Sequence, residues 1–238
     1  MADAVAEETE LAELVRGARY VLLDFDGPIC RLFAVRRAQD IARAQVEWLD
    51  RQGLGSILSE TEREDPDPHT TLRLLAEQRR GSDLVVEMEK RLTAEELGAV
   101  GTAWPTPYAD PLIRTWSAVG VRLAITTNNA PEAAGRYVEN RGLSDCFHRH
   151  IYGRTQDLEL LKPHPHCLHR ALNAMGADPA AALMIGDATT DLVAAEAAGV
   201  PFLGYARSEH KEAALRSAGA KHVIDSLEPL LTVLRTRP

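Results

Sequence analysis

Seven polar side chains that can bind a metal ion or a phosphate group stand beside predicted strands and helices of this 238-residue sequence. They are four carboxylates, one hydroxyl, one amide and one ammonium: Asp24, Asp26, Asp187, Asp191, Thr127, Asn128 and Lys162. Carboxylate oxygens suit Mg²⁺, while the lysine and the threonine offer positive charge and donors to the oxygens of an anion. The set fits phosphoryl transfer, whose catalysis depends mainly on in-line positioning and neutralisation of charge.

The first of these groups is the tetrapeptide from Asp24 to Gly27, which follows the apolar run Tyr20 to Leu23. Residues two apart in an extended chain face the same way, so Asp24 and Asp26 can face one site. Gly27 then permits a tight turn. An acidic pair after a strand is, taken alone, more often a turn or a helix cap than a catalytic site, so the interpretation depends on the other groups.

Short apolar runs without polar alternation predict strands that are buried on both faces. These runs are Tyr20 to Leu23, Val121 to Thr126, Ala182 to Ile185, Pro201 to Tyr205 and, more weakly, His222 to Ile224. Helical patterns separate them, and each pattern ends at a glycine, the residue that suits the end of a helix. Strands that alternate with helices indicate a doubly wound, Rossmann-like α/β fold with a parallel sheet. In such a sheet the ligand lies beyond the carboxyl ends of the strands, where the polar groups are expected.

The alternation stops between about residues 31 and 110, where helical patterns occur without a convincing strand. They cover Leu32 to Gln52, Thr70 to Arg79 and Asp83 to Leu92. We therefore expect an all-helical insert between the first two strands of the core. The predicted organisation is a tail over 1–17, an α/β core over 18–30 and 111–238, and a helical domain over 31–110.

Composition restricts the partners and the location of the protein. The formal net charge of -8 and the pI near 5.5 disfavour nucleic acid as a partner, because an acidic surface repels phosphodiesters. The three cysteines form no CxxC pair, which is typical of a reduced, intracellular protein. We find no signal peptide and no apolar stretch of the roughly 20 residues that cross a bilayer, so we expect a cytoplasmic protein without a membrane partner.

Four short motifs, in this order, resemble those of the haloacid dehalogenase superfamily. They are DFDG at Asp24 to Gly27, TN at Thr127 and Asn128, KP at Lys162 and Pro163, and GDATTD at Gly186 to Asp191. The resemblance covers roughly residues 18–29 and 112–231, and the helical insert is similar to the mobile cap of the family's phosphoglycolate phosphatases. It implies a Mg²⁺-dependent phosphatase that acts on a small phosphorylated metabolite through an aspartyl-phosphate.

The resemblance also implies a role for each matching residue in the reaction. Asp24 would be the nucleophile, and Asp26 would protonate the leaving group and then act as base on the hydrolytic water. The phosphoryl group would be bound by the remaining polar residues and the turn: Thr127, Asn128, Lys162 and Gly27.

The metal ligands implied by the resemblance are the carboxylates of Asp24 and Asp187 and the backbone carbonyl of Asp26. Asp191 would bind the metal through water or orient Lys162. One departure from the family pattern is Pro28, which stands where Thr or Val is usual. Proline lacks an N–H, so one donor near the site is absent.

Other functions remain open at this point. A phosphomutase of the same family would share these motifs, whereas dehalogenases and phosphonatases lack an acid at the position of Asp26. A phosphoacceptor signalling domain also combines acidic residues, a hydroxyl and a lysine on a parallel sheet, but it has no large helical insert. Arg31, Arg36 and Arg37 stand at the start of the insert, where they can meet an anionic substrate or be solvated.

Overall fold

The computed structural model describes residues 2–236, and the side chains from residue 8 onward. Its centre is a six-stranded parallel sheet with the strand order β5-β4-β1-β6-β7-β8. The strands of the chain are β1 (Tyr20–Leu23), β2 (Cys30–Arg31), β3 (Trp104–Pro105), β4 (Arg122–Thr126), β5 (Ile151–Tyr152), β6 (Ala182–Gly186), β7 (Phe202–Tyr205) and β8 (Val223–Ile224). The predicted doubly wound parallel α/β fold is confirmed.

Helices cover both faces of this sheet or lie in the segment between β2 and β3. The helices that flank the sheet are α1 (Ala2–Gly17), α6 (Ala109–Ala118), α7 (Pro131–Asn140), α8 (Ser144–Phe147), α9 (His166–Met175), α10 (Thr189–Ala197), α11 (Glu209–Ser217) and α12 (Glu228–Arg235). The helices of the inserted segment are α2 (Ala38–Arg51), α3 (Glu60–Arg63), α4 (Pro68–Gln78) and α5 (Asp83–Val100). Short 3-10 helices occur at Gly55–Ile57, Leu158–Leu160 and Pro179–Ala181.

The central strand β1 is buried on both faces, which explains why its sequence shows no polar alternation. Leu23 packs in the apolar cluster that contains α6, α7 and α12, whereas Leu22 packs against α9 and α10 on the opposite face. Neighbouring residues of a strand point to opposite faces of the sheet, so both faces need apolar side chains here. Burial of each leucine contributes roughly 1.5–3 kcal/mol to folding.

The inserted segment has an apolar cluster of its own. Trp48 and Leu49 of α2 pack there with Leu72 of α4 and Met88 of α5. Leu158, in the loop after β5, also joins this cluster and connects the insert to the core side of the chain. The helices of the insert therefore pack around a cluster that is distinct from the two apolar clusters that cover the sheet.

The structure differs from the expected secondary structure at two places. The two-residue strands β2 and β3 pair antiparallel at the two ends of the insert, where no strand was expected because so short a strand carries no periodic signal. Residues 2–17, which were expected to be a tail, form helix α1, whose Val15 is fully buried.

The ends of the predicted tail and core, Met1 and residues 237–238, lie outside the described residues. Among residues 2–236, no helix has the length and apolarity needed to span a membrane.

Candidate active site

The predicted site residues converge because three neighbouring strands end at the same edge of the sheet. In the register of the sheet, Leu23 of β1 pairs with Ile125 of β4 and with Ile185 of β6. The residues that follow these strands therefore emerge side by side: Asp24 and Asp26 after β1, Thr127 and Asn128 after β4, and Asp187 after β6. Lys162 reaches the same place from the loop between β5 and α9.

The ammonium of Lys162 lies at the centre of this group. Its Nζ donates to Asp24 Oδ1 at 2.8 Å, to Asp191 Oδ1 at 2.5 Å and to the carbonyl oxygen of Thr126 at 2.9 Å. The lysine side chain is only 3% exposed. Burial alone would lower the pKa of Lys162, but Asp191 and Asp24 outweigh it and raise the pKa above its usual value of 10.5. The lysine therefore remains a cation beside Asp24.

Asp191 is held by donors at both carboxylate oxygens. Lys162 donates to Oδ1, and the backbone N–H groups of Asp187 and Ala188 donate to Oδ2 at 3.1 Å each. Asp191 also stands in the first turn of α10, where a negative charge is favourable. Its oxygens are thus already satisfied, and the side chain fixes both the start of α10 and the position of Lys162.

The carboxylates of Asp24, Asp187 and Asp191 lie close enough together to hold a metal ion. One oxygen of each lies within 4.8 Å of those of the other two. Burial raises the pKa of Asp187, although the ammonium of Lys211, which contacts Asp187 Oδ2, opposes this shift. Buried oxygens of this kind suit a hard divalent cation. Asp24 and Asp187 fit such an ion better than Asp191, because Asp191 is occupied by Lys162 and by backbone donors.

Asp26 is half-buried at the wall of the cavity, and Leu32 N donates to its Oδ1 at 2.8 Å. Burial, followed by the negative charge of Asp187, raises the pKa of Asp26 from 3.8 to about 7. Gly27 comes next, with φ of +141°, and its α-carbon lies against the carboxylate of Asp187, so that any side chain would collide with Asp187. A glycine is required here because Asp187 must approach the turn closely.

The turn around Pro28 forms without the N–H that proline lacks. Gly27 N donates to the carbonyl oxygen of Cys30 at 2.7 Å, and Cys30 N donates to that of Phe25 at 3.1 Å. Thr106 Oγ1 donates to the carbonyl oxygen of Gly27 at 2.5 Å and connects the turn to the far end of the insert. The departure at Pro28 therefore leaves the hydrogen bonds of this turn intact.

The two residues after β4 have local hydrogen-bond partners. Thr127 Oγ1 donates to Asn129 Oδ1 at 3.0 Å, and Asn129 N donates back to Thr127 Oγ1 at 3.1 Å. Asn128 Nδ2 donates to the carbonyl oxygen of Lys162, and Lys162 N donates to Asn128 Oδ1, at 3.1 and 2.8 Å. The side-chain amide of Asn128 thus fixes the backbone that carries Lys162, and Asn128, which is expected at the phosphate, lines the cavity described below.

Comparison with known proteins decides the family. The sequence model described as haloacid dehalogenase-like hydrolase matches residues 18–199, most of the chain. The chain belongs to this hydrolase family. The family resemblance of the sequence motifs is confirmed.

Curated relatives of this haloacid dehalogenase-like chain carry phosphatase names. A phosphoglycolate phosphatase of Rhodospirillum rubrum is 35% identical over 128 residues, which are 52% of this chain and 50% of that protein. A phosphoglycolate phosphatase of Haemophilus influenzae is 26% identical over 194 residues, 82% of this chain and 75% of that protein. The matches thus span from half to three quarters of these relatives.

Two solved structures share the fold of this haloacid dehalogenase-like chain. A hydrolase of this type from Bacteroides fragilis has a TM-score of 0.67 at 21% identity, covering 90% of this chain and 99% of its own. CbbY from Rhodobacter sphaeroides, solved in complex with phosphate, has a TM-score of 0.65 at 19% identity, covering 92% and 99%. At these identities the similarity concerns the fold alone.

A buried polar network beside the site of this haloacid dehalogenase-like chain was not predicted. It joins Glu96 of α5 and His69 of α4 to Arg154, in the loop after β5, and to Asn129. Glu96 is fully buried and Arg154 is 6% exposed. No local pattern marks these residues, because their partners lie far away in the chain.

The network explains an unusual pKa at the wall of the site. Burial alone would lower the pKa of His69, but the charges and hydrogen bonds of Asp67 and Glu96 raise it from 6.5 to about 9. Burial alone would raise the pKa of Glu96, but its hydrogen bond with His69 and its contacts with Arg154 lower it to about 2. The pair is therefore a cation and an anion near neutral pH.

A cavity of about 440 Å³ brings the catalytic candidates and the insert together. From the core it is lined by Asp24, Asp26, Thr127, Lys162 and Asp187, among others. From the insert and the turns that precede its helices it is lined by Phe33, Ala38, Pro66, Asp67, Pro68 and His69. The volume suits a small molecule, and the walls are polar on the core side.

Proposed function

We propose that the protein is a phosphatase that hydrolyses a small phosphorylated metabolite, with Mg²⁺ as its metal. The observation that carries this proposal is the buried Lys162 ammonium, bonded to Asp24 and Asp191 next to Asp187. A nucleophilic carboxylate, a fixed cation and further acidic oxygens at one small cavity suit phosphoryl transfer. Family membership and the names of the curated relatives support hydrolysis of a phosphate ester.

In the first step, a carboxylate oxygen of Asp24 attacks the phosphorus atom. The bond between phosphorus and the ester oxygen breaks, and Asp26 gives its proton to the departing oxygen. Lys162 stabilises the charge on the phosphoryl oxygens, and Asn128 supports this by holding the lysine backbone. Thr127 is proposed as a further donor to these oxygens, and the turn at Gly27 is proposed to lie against them.

In the second step, water attacks the phosphorus atom of the aspartyl-phosphate on Asp24. Asp26, now a carboxylate, takes a proton from that water as the bond to phosphorus forms. The bond between phosphorus and the Asp24 oxygen then breaks, which releases inorganic phosphate and restores the Asp24 carboxylate.

The residues that would hold Mg²⁺ are Asp24, Asp187 and the backbone carbonyl of Asp26. When bound, the ion would shield the negative charge of the phosphate from that of the attacking carboxylate. Asp191 is proposed to keep Lys162 in place, because its oxygens are already engaged by Lys162 and two backbone donors.

We further propose that residues 31–110 are a cap domain over the site. The separate apolar cluster of α2, α4 and α5 supports this, as do the side chains that the segment contributes to the cavity wall. A cap of this kind excludes water from the reacting groups and contacts the leaving group.

A phosphatase screen over a panel of metabolites, with and without Mg²⁺, tests the proposal. We expect release of inorganic phosphate from at least one small phosphate ester, only when Mg²⁺ is present. Full activity in metal-free buffer would contradict the metal assignment, and no release from any ester in Mg²⁺ would contradict the proposed activity.

A further inference from the structure

A second cavity, of about 270 Å³, adjoins the active-site cavity at Asp26. The two cavities share four wall residues: Asp26, Phe33, Ala38 and Pro66. The remaining wall of the second cavity includes Arg31, Arg37 and Arg207. We call this second cavity the arginine annex. Because the walls are shared, a molecule in the active-site cavity can extend into the annex past Asp26.

The arginines of the annex come from three separate parts of the chain. Arg31 lies in β2, with its guanidinium 5.2 Å from the centre of the Trp104 ring. Arg37 directly precedes α2, and Arg207 follows β7. Three cationic side chains thus surround one cavity in a protein whose formal net charge is -8.

No carboxylate within the described part of the chain forms an ion pair with any of the three annex arginines. The neighbouring Arg36 differs, since it pairs with Glu95. The arginines at the start of the insert therefore differ in their partners: Arg36 forms an ion pair within the insert, whereas Arg31 and Arg37 line the cavity without one among the described residues. A guanidinium offers a planar fork of donors that matches a carboxylate or a phosphate.

The position of Asp26 relates the annex to the reaction. Under the proposed function, Asp26 protonates the ester oxygen that leaves the phosphorus atom. Atoms attached to that oxygen must lie next to Asp26 and away from Asp24. Asp26 lies in the wall of the annex, so the annex is space that a leaving group beside Asp26 can enter.

We propose that the arginine annex binds a negative charge on the leaving group, so that the substrate is a phosphate ester with a second anionic group. That second group is a carboxylate or another phosphate within a few bonds of the ester oxygen. This inference rests on the proposed function and narrows its substrate class. Phosphate esters whose leaving group is neutral or cationic are not expected to be preferred substrates.

Matched probes test this proposal. 2-Phosphoglycolate and ethyl phosphate have the same chain length and differ in one carboxylate, while pyrophosphate, an anhydride, supplies a second phosphate. We call 2-phosphoglycolate and pyrophosphate the two-anion probes, because each has a second anionic group that ethyl phosphate lacks. We expect kcat/KM in Mg²⁺ to be roughly ten- to a hundredfold higher for one or both two-anion probes than for ethyl phosphate, as for one charge-assisted hydrogen bond. Which two-anion probe is preferred distinguishes the two kinds of anion.

Variants then test whether the annex arginines cause the preference between the probes. The double variant Arg37→Gln with Arg207→Gln should reduce the preference for the two-anion probe roughly tenfold or more, mainly through KM. The control is Arg43→Gln, which removes the same charge from α2 at an exposed residue whose partner is Asp40, 3.6 Å away. The control should retain the preference of the unaltered protein.

A binding measurement separates failure of this inference from failure of the proposed function. Titration calorimetry of Asp24→Asn with 2-phosphoglycolate, pyrophosphate and ethyl phosphate needs no turnover. Tighter binding of a two-anion probe that is lost with Arg37→Gln and Arg207→Gln supports the annex even if no probe is hydrolysed. Equal binding and equal kcat/KM for all three probes, or a preference that survives the double variant, would overturn the annex while leaving phosphatase activity intact.

Discussion

The guanidinium of Arg154 donates to both carboxylate oxygens of Glu96, at 2.9 and 3.0 Å. Both side chains are almost completely buried, at 1% and 0% exposure. Arg154 also donates to the carbonyl oxygen of Asn128 at 2.9 Å, and Glu96 accepts from Ala130 N at 2.9 Å. The pair therefore fixes the loop after β4, which carries Thr127, to helix α5 of the insert.

We predict that Glu96→Gln lowers the free energy of unfolding by roughly 3 kcal/mol, the low end for a broken buried pair, because the buried Arg154 then keeps only the partly exposed Glu89, at 3.1 Å, as an anionic partner. Urea denaturation measures this. The control is Glu87→Gln on the same helix, whose exposed pair with Arg91 at 2.9 Å should contribute less than about 1 kcal/mol. A loss for Glu96→Gln as small as that of the control would show that the buried pair does not stabilise the fold.

The raised pKa of His69 predicts a stability difference that depends on pH. A group whose pKa rises from 6.5 to about 9 on folding stabilises the protein fully below pH 6.5 and loses this effect as the pH rises through 9. His69→Gln should therefore destabilise the protein by roughly 3 kcal/mol more at pH 6 than at pH 10. Denaturation at both pH values measures this, with exposed His210→Gln as the control. If the loss in free energy of unfolding caused by His69→Gln were the same at both pH values, the ion pairs of His69 would be contradicted.

Lys211 predicts a change in metal affinity that needs no substrate. Its ammonium contacts Asp187 Oδ2, on a carboxylate that we propose as a Mg²⁺ ligand, and its side chain is 40% exposed. Lys211→Met should strengthen Mg²⁺ binding roughly two- to fivefold, because a partly exposed ion pair of this kind contributes up to about 1 kcal/mol. Titration calorimetry with MgCl₂ measures this, and Lys221→Met, at an exposed residue, is the control. Weaker binding by Lys211→Met would show that Lys211 assists the metal site.

Much of the core could be predicted from the sequence because its signals are local. The run Tyr20 to Leu23 is apolar throughout because both faces of β1 are covered, and Asp24 follows it directly. Gly176, expected at a helix end, has φ of +60° after α9. The pattern of strands, helices and glycines is therefore sufficient to predict a parallel sheet with acidic residues at its carboxyl edge.

The contacts that build the site could not be predicted in the same way. Lys162 lies 138 residues from Asp24 and follows β5, a two-residue strand too short to carry a periodic signal. The sequence placed Lys162 among the candidate groups because it precedes a predicted helix, and the motif resemblance then implied that it binds the phosphoryl group. Arg154 and Glu96 are 58 residues apart, and each would ordinarily be expected at the surface. Only the packing of the insert on the core brings these charges together.

The proposed mechanism also separates the two aspartates after β1. Asp26→Asn keeps the nucleophile but loses the proton donor and base, and p-nitrophenolate leaves with little protonation. This variant should therefore form some aspartyl-phosphate from p-nitrophenyl phosphate and hydrolyse it slowly. Asp24→Asn should form none, because the nucleophile is absent.

Intact-protein mass spectrometry after a brief reaction with p-nitrophenyl phosphate and Mg²⁺ is the most direct test of Asp24 as the nucleophile. The proposed mechanism predicts the added mass of one phosphoryl group on Asp26→Asn and no added mass on Asp24→Asn. A phosphoryl group on Asp24→Asn, or turnover by that variant equal to that of the unaltered protein, would contradict the assignment of Asp24.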